Sequence, residues 1–97
     1  MTRIVITGAC GKMGRVINDI VNTRDDCEIT AGIDIAGEQY AEFPVYKKLF
    51  DLPEKPDVII DFSHPSLLDE LLDYCKINNV PVVIATTGYT DEQIKQI

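Results

Sequence analysis

Basic residues are few in this 97-residue chain, and they do not cluster. Nine lysines and arginines stand against 16 aspartates and glutamates, which gives a formal net charge of −7. Nucleic acids and anionic membranes are bound by clustered lysine and arginine, so the sequence argues against both as partners. The acidic residues are scattered along the chain, as expected of solvated faces. The charge pattern therefore favours a small-molecule ligand.

Cysteine and histidine are also sparse. Cys10, Cys27 and Cys75 show neither a CxxC pair nor the Cys/His spacing of a zinc site, so neither a disulfide framework nor a metal centre is indicated. We expect buried thiols. Cys10 would be reactive if its thiol met the positive end of a helix, but a small residue that fits its loop is the simpler interpretation. For His64, the one histidine, a capping or solvent-facing position is favoured over catalysis.

Long apolar runs are absent. The first residues lead into an apolar strand of about five residues, which is shorter than the apolar core of a signal peptide, and no run approaches membrane-spanning length. We therefore expect a cytoplasmic protein. Repeats and low-complexity segments are lacking too, and the length fits one domain over residues 1–97.

Three glycines at every third position follow the first apolar strand, in the stretch 4–18. Gly8 suits a tight turn off the strand, with a positive φ that would strain a residue with a Cβ. Gly11 would let the backbone come close to a pyrophosphate, and Gly14 would let the next helix lie tightly on the strand. The start of that helix would face the anion. Because the spacing is one residue longer than the commonest fingerprint, a turn that binds no nucleotide is the alternative.

Apolar strands and amphipathic helices alternate along the chain. Strands are predicted over 3–7, 27–34, 57–62 and 80–85, and the first and third are continuously apolar, as expected of strands covered on both faces. Helices are predicted over roughly 12–21, from about 65 to 79, and from about 90 onward; between 46 and 52 we expect at most a short strand or a turn of helix. This order predicts an α/β fold, a Rossmann-like doubly wound parallel sheet of about four strands that is apparently incomplete.

The first two predicted helices each have one apolar face. In the first helix the residues at helical spacing are Met13, Val16, Ile17, Ile20 and Val21, and in the second they are Leu67, Leu68, Leu71, Leu72 and Cys75. We expect both sets to pack on the sheet, although Met13 could instead contact a cofactor.

Four segments follow the ends of predicted strands, namely 8–14, Asp34, 62–64 and 85–88. In a parallel sheet these strand ends meet at one edge, where ligands bind. Asp34 lies 34 − 14 = 20 positions beyond Gly14, the place of the carboxylate that accepts hydrogen bonds from the adenosine ribose. Ile35 stands where an arginine could hold a 2′-phosphate. The sequence therefore predicts a preference for NADH, while Lys12, Lys47 and Lys48 leave room for NADPH.

Three stretches together resemble the amino-terminal domain of the dihydrodipicolinate reductase family. They are Gly8-Ala-Cys-Gly-Lys-Met-Gly-Arg15, Asp61-Phe-Ser-His-Pro65 and Ala85-Thr-Thr-Gly-Tyr89. The resemblance covers essentially the whole chain. The glycine stretch alone is shared with many Rossmann proteins, but the other two stretches at these distances make the combination specific. Ala85 departs from the family's usual glycine, and Ile35 departs from a frequent arginine.

The resemblance implies a role for each part of the cofactor site. The residues implied at the pyrophosphate are Gly8, Ala9, Cys10, Gly11, Lys12 and Met13. Asp34 is implied at the ribose. The residues implied at or near the nicotinamide half are Phe62, Ser63, Ala85, Thr86 and Thr87.

The resemblance also implies an activity, hydride transfer from NAD(P)H to a cyclic unsaturated dicarboxylate in lysine and diaminopimelate biosynthesis. The family's substrate domain has no counterpart in this chain, so we expect cofactor binding without turnover here and a homo-oligomer in the full enzyme. A stand-alone Rossmann nucleotide-binding or sensing module, or the cofactor domain of another oxidoreductase, are the alternatives.

Overall fold

A five-stranded parallel sheet forms the centre of the molecule. The computed structural model describes residues 2–35, 39, 43–62 and 67–84, and the elements named here all lie in these ranges. In chain order they are β1 (Thr2–Thr7), α1 (Lys12–Val21), β2 (Cys27–Ile33), β3 (Val45–Tyr46), a 3₁₀ turn (Leu49–Asp51), β4 (Val58–Asp61), α2 (Leu68–Asn78) and β5 (Val82–Ile84). The strand order β3-β2-β1-β4-β5 confirms the predicted Rossmann-like parallel sheet.

The short edge strand β3 is the fifth strand, one more than the sequence predicts. It pairs Val45 with Gly32 and Tyr46 with Ile33, and the 3₁₀ turn follows it. Two residues are too few to show the periodicity of a strand. The sequence predicted at most a short strand or a turn of helix between 46 and 52; the structure has both, and the strand begins one residue earlier, at Val45.

The sheet is covered on both faces. Ile4 and Ile6 of β1 pack in one cluster with Val21 of α1. Val5, between them, packs in the other with Leu68 of α2. Since successive side chains of a strand point to opposite faces, the two helices lie on opposite sides of β1. Burying each such side chain contributes about 1.5–3 kcal/mol, which explains why β1 is continuously apolar.

Helix α1 uses a narrower face than the sequence predicts. Ile17 and Val21 pack on the sheet, but Met13, Val16 and Ile20 are 48%, 40% and 51% exposed. The expected core position is therefore wrong for Val16 and Ile20, and for Met13 the alternative of a cofactor contact is the one left. The contact line of the helix starts at the buried Gly14 and continues at spacings of three and four residues, and the other apolar side chains lie to one side of it.

Helix α2 buries most of its predicted face. Leu68 and Leu71 are buried, while Leu67, Leu72 and Cys75 are half-buried. The buried Tyr74 is an addition to the predicted set, and its ring lies edge-on to Phe50 with centroids 5.3 Å apart. As predicted, the helix ends at Asn78 and Asn79, the latter in the left-handed conformation with φ 53°. The residues predicted to begin it, Ser63, His64 and Pro65, lie outside the described ranges.

Cys10, Cys27 and Cys75 are not joined in disulfides, and each is half-buried where we expected burial. Burial raises the pKa of Cys75, and the nearby charge of Asp61 adds to the effect. No group of three or more metal-binding side chains occurs within the described ranges. None of the helices described is long and apolar enough to cross a membrane.

Candidate cofactor site

The carboxyl ends of the three central strands meet at one edge of the sheet. Thr7 of β1 is in register with Ile33 of β2 on one side and with Asp61 of β4 on the other. The residues that follow these ends, Gly8, Asp34 and Phe62, line one cavity. Three of the four predicted segments therefore converge as expected. The fourth, with Ala85, Thr86 and Thr87, lies outside the described part of the chain, as does Ser63.

The glycine loop leaves β1 through a turn at Gly8. Its φ of 69° is in the left-handed region, as predicted for this glycine. The backbone N–H groups of Gly8 and Ala9 both donate to the carbonyl of Ile33, at 2.7 and 3.2 Å. The N–H of Gly11 donates to the carbonyl of Gly8 at 3.1 Å. The loop is thus held by its own backbone and by β2.

Gly14 brings α1 into close contact with the loop. A β-carbon on Gly14 would lie 2.4 Å from the carbonyl oxygen of Ala9 and 2.8 Å from its Cα. The predicted close packing is therefore present, but the surface that Gly14 meets is the backbone just after β1. This contact fixes where the helix begins relative to the strand end.

The first turn of α1 offers backbone donors. The helix begins at Lys12 with Gly11 as its N-cap, and neither a capping side chain nor an acidic residue occupies its start. The N–H groups of Lys12, Met13 and Gly14 have no acceptor inside the helix, and no acceptor for them occurs among the residues described. With the helix dipole, these donors suit an anion.

The backbone hydrogen bonds divide the predicted pyrophosphate segment in two. The N–H groups of Gly8, Ala9 and Gly11 have backbone acceptors, and that of Cys10 donates to Asp34. Only the later part, from Lys12 on, presents N–H groups at a helix start. The earlier part shapes the loop.

The carboxylate of Asp34 lies against the glycine loop. Its Oδ2 accepts the N–H of Cys10 at 2.9 Å, and its own N–H donates to the carbonyl of Tyr46 at 2.9 Å. A carboxylate has about four lone-pair sites, so this bond is compatible with acceptance from ribose hydroxyls. The contact with Cys10 was not predicted, since 24 residues separate the two positions.

A cavity of about 240 Å³ opens between the loop, the end of β2 and the start of α2. Its apolar side chains are Ile33, Ile35, Leu49, Phe62, Leu67 and Leu71. Its charged side chains are those of Asp34, Lys47 and Glu70. Glu70 accepts the backbone N–H of Leu49 at 3.0 Å and so links α2 to the 3₁₀ turn. Leu49 and Glu70 were not predicted at this cavity, because no sequence pattern joins the 3₁₀ turn to α2.

These features fit a dinucleotide. The space at Gly14 admits no side chain, the start of α1 is uncapped, and a carboxylate stands beside it. The parallel sheet places this constellation at the edge where its strand order reverses, between β1 and β4. Fold and site together define a dinucleotide-binding domain of the Rossmann class.

Comparison with known proteins narrows this class to a family. The family model described as dihydrodipicolinate reductase, N-terminus, matches residues 2–97, and the chain belongs to that family. Reductases of this family bind a nicotinamide dinucleotide.

The similar proteins are reductases by name. The 4-hydroxy-tetrahydrodipicolinate reductases of Clostridium novyi (strain NT) and Clostridium tetani (strain Massachusetts / E88) are 41% and 39% identical over 97 residues, all of this chain and 38% of each relative. A solved structure, dipicolinate-bound dihydrodipicolinate reductase from Paenisporosarcina sp. TG-14, superposes with a TM-score of 0.81 at 36% identity over 99% of this chain and 41% of that one. The chain thus spans about two fifths of the length of these proteins.

Proposed function

We propose that residues 1–97 form the nicotinamide-dinucleotide-binding domain of a 4-hydroxy-tetrahydrodipicolinate reductase. The observation that carries this proposal is the carboxylate of Asp34, hydrogen-bonded to the glycine loop beside the uncapped start of α1. The bound nicotinamide supplies a hydride, and the whole protein delivers it to a cyclic unsaturated dicarboxylate in lysine and diaminopimelate biosynthesis.

The residues of the chain bind and orient the cofactor. The N–H groups of Lys12 and Met13 donate to the pyrophosphate, and the loop from Gly8 to Gly11 holds them in place. The carboxylate of Asp34 accepts hydrogen bonds from the ribose hydroxyls. Phe62 lies at the end of β4, on the side of the nicotinamide half. The family resemblance adds the remaining contacts of that half, at Ser63, Ala85, Thr86 and Thr87.

The cofactor preference is for NADH. Asp34 and the exposed Ile35 stand together at the cavity. A carboxylate repels the 2′-phosphate of NADPH, and isoleucine offers it no charge. Lys47 lines the same cavity, and its ammonium group allows weaker binding of NADPH.

The chain of 97 residues binds cofactor without turning over substrate. No general acid and no clamp for a dicarboxylate is recognisable in its sequence, and the substrate domain belongs to the remaining length of the relatives. We also propose that the full enzyme is a cytoplasmic homo-oligomer. Reductase activity from the 97-residue chain would contradict this part of it.

The test is a titration of NADH into the chain and into D34N, followed by nicotinamide fluorescence. Asparagine keeps the shape of the side chain but removes its charge and one acceptor, so we expect the dissociation constant for NADH to rise about tenfold. D19N is the matched control, since Asp19 is exposed on α1, and it should bind as the unmodified chain does. An unmodified chain without affinity for NADH, or a D34N variant that binds it equally well, would contradict the proposal.

A further inference from the structure

Thr7 and Asp61 are the two polar side chains in the buried core of the described residues. Thr7 is 3% exposed and Asp61 is fully buried. The other buried side chains of these ranges are apolar. A buried carboxylate costs free energy unless it is paired and hydrogen-bonded, so its presence in this sheet calls for a specific reason.

The two side chains join β1 to β4 at the edge that carries the site. They are register partners in adjacent strands, and the hydroxyl of Thr7 donates to Oδ1 of Asp61. The carbonyl of Thr7 also accepts the backbone N–H of Phe62 at 3.0 Å. Thr7 therefore holds the end of β4 through both its side chain and its backbone.

The position of this pair is informative. Thr7 directly precedes Gly8, where the glycine loop turns off the strand, and Asp61 directly precedes Phe62 at the cavity. An apolar pair of similar size would fill the core at lower cost. Only a directional bond, however, fixes the loop and the end of β4 relative to each other.

We propose that Asp61 is a positioning residue of the cofactor site, acting through Thr7. The inference rests on the proposed function. The carboxylate orients the Thr7 hydroxyl, and this bond sets the distance between the pyrophosphate loop and the segment that begins at Phe62. NADH spans both sides of this junction. Adenosine monophosphate needs Asp34 and the pyrophosphate loop but does not reach the segment that begins at Phe62.

The test measures the affinities of NADH and adenosine monophosphate for T7V, which removes the hydroxyl and keeps the shape. We expect NADH to bind about tenfold more weakly, with adenosine monophosphate unchanged within about twofold. T7S restores the hydroxyl and should restore NADH binding. T30V, at a half-buried threonine of β2 away from this edge, is the matched control and should bind both ligands normally.

If the pair had only a structural role, T7V would change the affinities for NADH and adenosine monophosphate alike. Equal losses for both, or no loss for NADH, would overturn the proposal. If circular dichroism shows that T7V does not fold, D61V, which removes the acceptor of the Thr7 hydroxyl, takes its place and the same comparison decides. An unmodified chain that binds neither ligand would instead refute the proposed function, and the inference with it.

Discussion

The β-carbon that Gly14 lacks would stand 2.4 Å from the carbonyl oxygen of Ala9. The carbonyl oxygen is a backbone atom and a β-carbon is bonded directly to the helix backbone, so neither can move aside as the end of a flexible side chain could. We expect G14A to lower the free energy of unfolding by about 1–3 kcal/mol, measured by urea denaturation. Unchanged stability would mean that α1 can shift away from the loop at little cost.

G11A is the companion variant, because a substitution is predicted to lower stability at Gly14 and to lower affinity for NADH at Gly11. Gly11 has the extended conformation open to any residue, with φ −75°, and an added β-carbon would meet only the carbonyl of Gly8, at 3.3 Å. We therefore expect stability within about 1 kcal/mol of the unmodified chain. The new methyl group would stand at the exposed start of α1, so NADH should bind more weakly.

Ile35 is predicted to set the choice between the two cofactors. It is 74% exposed and lines the cavity beside Asp34. Arginine at this position would pair with a 2′-phosphate, so I35R should raise affinity for NADPH relative to NADH about tenfold, measured by parallel titrations. The gain should shrink as salt is added.

I77R controls for the added charge. Ile77 is 70% exposed on α2, so this variant changes the net charge of the chain by the same amount. We expect its NADPH to NADH ratio to match that of the unmodified chain. A ratio that moves equally in both variants would point to the overall charge and not to Ile35.

One helix allows the same substitution on both of its sides. Val21 of α1 is 7% exposed and Val16 is 40% exposed. V21A removes buried methyl groups and should cost about 2 kcal/mol of unfolding free energy. V16A should stay within about 0.5 kcal/mol, since alanine also has the higher helix propensity. Equal losses of unfolding free energy for V21A and V16A, measured by urea denaturation, would contradict this prediction and indicate the wider buried face expected from the sequence.

Asp57 is predicted to make stability depend on pH in the acid range. Its Oδ2 accepts the backbone N–H of Arg3 at 2.8 Å. That bond, with the nearby Arg3 charge, lowers the pKa of Asp57 from its usual 3.8. Because the pKa is lower in the folded chain, this stabilisation is present above pH 3.8 and is lost as the pH falls through the folded pKa.

The comparison for this prediction is D57N. Its urea midpoint should lie below that of the unmodified chain at neutral pH, and the difference should shrink as the solution is acidified. The effect should be small because the carboxylate is exposed. A difference that stays constant down to the lowest pH would show that Asp57 is not responsible.

The sequence predicted those features that depend on local pattern. The bounds of α1, the turn at Gly8 and the meeting of strand ends all follow from glycine spacing and from continuously apolar strands. The side of α1 that packs on the sheet could not be predicted in this way. Five apolar residues satisfy the helical period, and only the contact at Gly14 selects among them.

Within the site, long-range partners were the part that could not be foreseen. Asp34 was placed by counting from Gly14, but its bond to Cys10 depends on how β2 lies beside the loop. Likewise, the bond from Thr7 to Asp61 joins positions 54 residues apart. Such contacts follow from strand register. A single sequence does not define the register of two strands that no hairpin turn joins.

The pairing of β1 has a consequence for how the chain folds. This strand precedes both of its neighbours in the chain, which lie at 27–33 and 58–61. The backbone groups that face β4 therefore find their partners only after residue 58 has been synthesised, and contacts this distant in sequence slow folding. During synthesis the ends of β1 and β4 can meet only when β4 arrives, so a ribosome that pauses before residue 58 would leave β1 without this partner and exposed to aggregation.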